Sequence, residues 1–270
     1  MGAYLFRIGL LVGLVPAFSP AVGSLLLTFA DWRSIFVLMF VYAVVVVSIV
    51  YLLMPETNHT IDRALARPGR IAANYLTLLT DRRFVGPAAL MGLVLGGIYT
   101  LPSLLPFVLI ERLGLTPIQY ALVMVIQTAA LVAGNLLVGR LLRRINARRL
   151  VPYGIVIIAL SGAGFAMARA FATPHLLSFM LPAMLWVFGL PFVTPGTMTS
   201  ALSHFPRIAG AASSLIGFMQ MGGGFLGSAL AAAIFGDPVG AVSTLLPIIA
   251  LLAGLSYFLL PSAASSESGS

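Results

Sequence analysis

The residues able to move protons or hold metals are few, and their positions are more informative than their number. The acidic residues are Asp31, Glu56, Asp62, Asp81, Glu111, Asp237 and Glu267, and the histidines are His59, His175 and His204. All ten fall in the connections between long apolar stretches or in a tail, so paired-carboxylate acid/base work inside a bilayer has no candidates. No two of them stand at metal-ligand spacing, such as i, i+4, on one apolar helix, which leaves a zinc-dependent reaction unsupported. Cysteine is absent, which excludes thiolate nucleophiles, disulfides and sulfur-ligated metals. Gly222, Gly224 and Gly227 spell GxGxxG, but they lie inside an apolar span with no strand before them, so close helix packing is expected rather than nucleotide binding. Asn58, His59 and Thr60 form a glycosylation sequon by chance, in a connection expected to be cytoplasmic. What remains is uncharged and mid-span: Tyr99, Thr100, Gln127, Asn135, Trp186, Ser213, Ser214 and Gln220. Together they outline a weakly polar cavity for a lipophilic solute, which is a binding task and not a catalytic one. Gln127, Asn135, Trp186 and Gln220 are the expected cavity lining. No enzyme activity, cofactor or metal is expected.

The elements that must position these residues follow from composition. Of 270 residues, 60% are hydrophobic and 8% charged, with a mean hydropathy of +1.07. A soluble domain of this length carries about a quarter of its residues charged, so this chain is solvated by lipid. Stretches long enough to cross about 30 Å of hydrocarbon recur eight times, over 8–30, 34–54, 86–109, 118–139, 151–168, 176–200, 209–235 and 241–260. Spanning strands would alternate polar and apolar side chains, and Val44 to Val47 or Ala229 to Phe235 do not. The expected fold is all-α, a polytopic bundle of about eight transmembrane helices. Three small-xxx-small pairs, Gly9 with Gly13, Gly92 with Gly96 and Gly223 with Gly227, predict tight helix crossings. Prolines at 16, 20, 102, 106, 182, 191 and 195 permit kinks within spans.

Charge fixes the orientation. The fifteen basic residues are all arginine. Taken by alternate connections, twelve fall on one side and only Arg33, Arg112 and Arg169 on the other. Positive charge on short loops stays in the cytoplasm, so both termini are expected there. The net charge of +8 and pI near 10.6 are thus topology, and no aromatic residues interleave with the arginine clusters to stack bases, so no nucleic acid is expected as partner. Residues 8–30 are too long for the h-region of a signal peptide and contain two prolines, hence a spanning helix. The segment 55–85 is expected as a cytoplasmic linker with an amphipathic stretch around Ile71 to Leu79 on the membrane surface, and 261–270 as a disordered tail.

Gly9 to Ser24, followed by Asp31-Trp32-Arg33-Ser34-Ile35-Phe36, resembles the fifth helix and its exit in the drug:proton antiporters of the major facilitator superfamily, most closely the bicyclomycin-resistance (Bcr/CflA) exporters. In that antiporter motif a Gly-rich helix ends in Gly-Pro-x-x-Gly-Gly; this chain has Pro20 and Gly23 but Ser19 and Ser24. Asp81 to Phe84, Leu113 to Pro117 and Ala209 to Leu215 through Gln220 look like later landmarks. Gly139 to Leu150 resembles the gating-loop signature G-x-L-x-D-R-x-G-R-R, with Arg144, Arg148 and Arg149 at matching positions and Arg143 where the Asp would be. The resemblance implies a partial major facilitator fold: 1–54 as the last two helices of an N-terminal six-helix half, 55–85 as central linker and 86–260 as the C-terminal half. About four helices of such an exporter are then missing, with its proton-carrying carboxylate among them. It further implies efflux of lipophilic drugs by proton antiport from a bacterial inner membrane, as a monomer when full length. Gly9, Gly13, Pro16, Pro20 and Gly23 would form the antiporter helix, and Gly139, Arg144, Arg148 and Arg149 the gating loop. A non-transporting membrane subunit or inactive fragment is the other reading, and a lipid-modifying membrane enzyme a third.

Overall fold

The computed structural model describes residues 22–23, 26, 29–55, 68–169 and 175–258. Among them lie eight α-helices: α1 (Arg33–Leu53), α2 (Pro68–Thr80), α3 (Arg82–Pro106), α4 (Pro117–Leu141), α5 (Ala147–Ala168), α6 (Leu176–Ser203), α7 (Ala209–Ile234) and α8 (Pro238–Phe258). A π-helical segment, Phe107–Arg112, extends α3, and a 3-10 turn, Pro206–Ile208, precedes α7. All but α2 are long and apolar enough to cross a membrane, seven candidate spans in the described residues. They coincide with the last seven expected spans. The first, 8–30, lies largely outside the described residues, as do Gly9, Gly13, Pro16 and Pro20. Contacts divide the chain into two compact units, Met1–Arg70 and Ile71–Ser270.

In the first unit, Asp31 starts α1: its carboxylate accepts the Trp32 N–H at 2.7 Å, its carbonyl accepts the Ser34 hydroxyl at 2.6 Å, and it pairs with Arg33 at 3.0 Å. The Arg33 guanidinium stacks 5.0 Å above the Trp32 ring. Gly23 is helical, with no atom near the place of a Cβ. No residue of α1 is buried.

In the second unit, each helix end has a local cause. Asp81 caps α3 by accepting the Arg83 N–H at 2.8 Å, so this helix begins four residues before the expected span. The wide π turns follow Pro106, which has no N–H to donate, and they carry Glu111 into the end of the helical rod rather than the connection. The rod stops at Gly114, whose φ of 71° needs glycine, while the Leu115 N–H donates back to the Leu109 carbonyl at 3.0 Å. Thr116 and Gln119 then form a capping box that opens α4, and Asn146 caps α5 through the Arg148 N–H at 3.0 Å.

The six long helices form two layers. α4, α6, α3 and α7 stand in a row in that order, each packed on the next, and α5 and α8 lie behind, against α6, α3 and each other. The core between the layers contains Leu90, Leu101, Leu105, Ile158, Phe165, Phe179 and Trp186, all nearly or wholly inaccessible. α2 lies in the stretch expected as linker. Tyr75 and Leu78 pack with Phe84, Ala201, Ala212 and Ile216 at one end of the bundle, and the Tyr75 hydroxyl bonds Ser214 at 2.9 Å. Its Leu76 and Leu79 stay exposed.

Asp237 holds the opposite end together. It pairs with Arg112 at 2.7 Å, and its other carboxylate oxygen accepts the Gly240 N–H at 2.9 Å in the first turn of α8. Both side chains are about half exposed, where an ion pair contributes at most about 1 kcal/mol, whereas a lost N-cap costs about 1 kcal/mol. Asp237→Ala is therefore expected to lower the melting temperature in detergent more than Arg112→Ala does. Equal losses would mean that the pair, not the cap, holds this end.

Candidate functional site

Two seams between neighbouring helices of the row carry mid-span polar groups. The first is a ladder of small residues between α3 and α7. A Cβ on Gly92 would lie 3.2 Å from the Met219 carbonyl, one on Gly96 2.9 Å from the Gly223 carbonyl carbon, and one on Gly227 would strike the Thr100 side chain. The rungs advance by four on both helices, so α3 and α7 cross in parallel with backbones in contact, the geometry that GxxxG patterns permit. Two of the expected small-xxx-small pairs thus pack on one another.

The two sides of this crossing differ. On the side of α8, Gly92, Gly96, Phe218, Gly222, Leu226 and Ile249 line a groove of about 400 Å³ whose surface is almost wholly apolar. On the other side, Tyr99 is 42% exposed with its Cβ against Gly224. Gln220 is half-buried one helical turn before Gly224, and a turn beyond Tyr99 the Ser103 and Ser228 hydroxyls bond at 2.7 Å.

The second seam lies between α4 and α6. Gly134 lets α4 approach the Phe188 carbonyl, to which a Cβ would come within 2.6 Å. Gln127 sits two turns earlier on that stripe and is 9% exposed. Among the described residues no hydrogen bond engages the amide of Gln127 or of Gln220. Two amides are thus left open on the flanking helices of the row, each beside a central helix. Asn135 is exposed on another face of α4 and donates to the Leu131 carbonyl at 3.0 Å.

Trp186, expected on the cavity wall, is placed differently. It is wholly buried between α6 and α3, its ring over Gly97, and its Nε1–H donates to the Val94 carbonyl at 3.0 Å. A large ring with one donor is most easily satisfied inside the core, against a backbone carbonyl and a glycine. Tyr99 belongs to the mid-span polar set but not to the expected lining, and Ser103 and Ser228 belong to neither. Their signal was spacing: Ser103 follows Tyr99, and Ser228 follows Gly224, by one turn.

The expected gating loop closes the α4–α5 corner. Gly139 is exposed with open space at its Cβ, and Arg144 and Arg149 are exposed. Arg148 ties the start of α5 to the end of α6 by donating to the Ser203 hydroxyl at 3.2 Å. Among the described residues no three His, Asp or Glu side chains come together as a metal site would need.

Comparison with known proteins adds to this geometry. Residues 5–228 match the family described as Major Facilitator Superfamily. The chain is 25% identical over 252 residues to the uncharacterized MFS-type transporter YdgK of Bacillus subtilis, covering 92% of this chain and 62% of that protein. It is 23% identical to a bicyclomycin resistance protein homolog of Haemophilus influenzae, covering 92% and 62%. It is 26% identical to the multidrug resistance protein D of Escherichia coli, covering 94% and 62%. The chain therefore spans about three-fifths of the length of these curated relatives.

Proposed function

Because this chain belongs to the Major Facilitator Superfamily, we propose that it forms part of a multidrug exporter of the bicyclomycin-resistance kind, moving lipophilic compounds by alternating access across a bacterial inner membrane. The observation that carries this reading is the pair of open mid-span amides, Gln127 and Gln220, on helices of membrane-crossing length. An unpartnered amide in a span is costly unless a ligand or water meets it. Relatives named for bicyclomycin and multidrug resistance favour small, lipophilic ligands. Gln127, Gln220, Tyr99 and the Ser103–Ser228 pair would contact them, and no covalent step is involved.

The glycine ladder would let α3 and α7 shift without repacking large side chains. Arg148 at Ser203 would steady the cytoplasmic gate, with both termini on that side. Proton coupling needs a titratable group at mid-span, and every acidic residue of the chain lies at or beyond the ends of the apolar stretches. The coupling carboxylate would therefore belong to helices outside this sequence, in a full-length monomer.

Two measurements test the reading. In proteoliposomes under a pH gradient, the 270-residue chain alone is expected to move a lipophilic cation such as ethidium no faster than empty vesicles; coupled uptake would refute the assignment of the proton carrier. With the preceding four helices of a relative supplied, drug export is expected to appear. In that background, Gln220→Ala and Gln127→Leu are expected to change the ranking of exported compounds several-fold at normal expression. An unchanged ranking for both would remove the seams from the binding site.

A further inference from the structure

Eight of the ten arginines in the unit Ile71–Ser270 lie at one end of the bundle, on the first turns of α3 and α5, in the α4–α5 corner and before α7. Against them stands a single described carboxylate, Asp81, already engaged as a cap. Among the described residues no ion pair reaches any of the eight, and Arg82 and Arg83 are both exposed. The first turns of α3, α5 and α7 contain no acidic residue, although the partial positive charge there favours one. At these three helix starts backbone and side chains add charge of the same sign, while the ends of α4 and α6 beside them carry the opposite partial charge.

A second feature sets the depth of this surface. α2 buries Leu78 against the bundle and leaves Leu76 and Leu79 64% and 51% exposed, with the exposed Thr80 and Thr77 following Leu76 round the helix. A helix so divided lies at the boundary between headgroups and acyl chains. Only Asp81 separates it from the exposed Arg82 and Arg83, so their side chains start one residue beyond the end of this helix.

We infer that this end of the bundle is a binding surface for anionic phospholipid, with Arg82 and Arg83 taking headgroup phosphate beside Leu76 and Leu79, and Arg143 and Arg144 extending the same surface. Arginine suits this role because its planar fork meets phosphate oxygens in pairs. The surface would tie the packing of α2 and the α4–α5 corner to the charge of one leaflet, whatever solute the protein carries.

The test uses the whole chain, purified in a maltoside detergent and titrated with phosphatidylglycerol or phosphatidylcholine, with bound lipid read by native mass spectrometry. Phosphatidylglycerol is expected to be retained preferentially. Each arginine near an anionic surface is worth roughly fivefold in affinity, so R82Q/R83Q is expected to bind phosphatidylglycerol about thirtyfold more weakly. R143Q/R144Q is a second variant, expected to weaken retention in the same direction without touching α3. R112Q/R169Q removes the same charge from the opposite end and is expected to retain the lipid. Equal retention of the two lipids, an equal loss in R112Q/R169Q, or displacement of phosphatidylglycerol by millimolar inorganic phosphate would overturn the assignment.

Discussion

Gly223→Ala is expected to destabilise the protein by about 1–3 kcal/mol, seen as a melting temperature several degrees lower in detergent, while Gly222→Ala one residue away leaves it unchanged or slightly raised. The added methyl on Gly223 would come 2.6 Å from the Gly92 carbonyl oxygen and 3.3 Å from the Gly96 Cα. Both are backbone atoms of a helix and cannot rotate aside, so α3 and α7 must separate. At Gly222 nothing lies within 4 Å, and alanine there gains up to about 1 kcal/mol in helix propensity. The same reasoning predicts that Gly96→Ala and Gly223→Ala together cost less than the sum of the two alone, because the first already spreads the crossing that the second would spread. Full additivity, or a Gly222→Ala as harmful as Gly223→Ala, would show that the helices do not meet at these rungs.

How far such a crossing can be read from sequence is clear from its own residues. The four-residue spacing of Gly92 and Gly96, and of Gly223 and Gly227, marks a small-residue stripe on each helix. Which stripe faces which is not in the spacing, because partner choice depends on how all the helices pack. Gly222, Gly224 and Gly227 illustrate the same limit. Close packing explains Gly224 against Tyr99 and Gly227 against Thr100, but Gly222 only lines a groove. Span positions were more legible than partners, because the need for some 20 apolar residues is local. The start of α3 was set by Asp81, a capping residue inside a stretch that hydropathy assigned to linker. Gln127 and Gln220 were visible as mid-span amides; that both lack partners among the described residues is a property of the packed bundle.

Trp186→Ala is expected to be the most damaging of the substitutions considered, at about 3 kcal/mol or more, and Trp186→Phe about 1 kcal/mol through the lost donor to Val94. Between helices in lipid the loss is mainly of van der Waals contact, since lipid tails are as apolar as the core. A role in the cavity wall predicts something else: tolerance of small side chains and direct contact with drug. The chain has two tryptophans, Trp32 and Trp186, so a Trp32→Phe protein reports on Trp186 alone. Its emission is expected at short wavelength, insensitive to aqueous iodide and unchanged by lipophilic substrates. Gly97→Ala supplies an independent check, because its Cβ would fall 2.8 Å from the indole Cε2. It is expected to destabilise the native protein yet cost far less beside Trp186→Phe, whose smaller ring gives the methyl room. Quenching by substrate, or independence of the two substitutions, would return Trp186 to the cavity wall; coupling without quenching makes it the brace that fixes α6 to α3 and so sets where the two seams open.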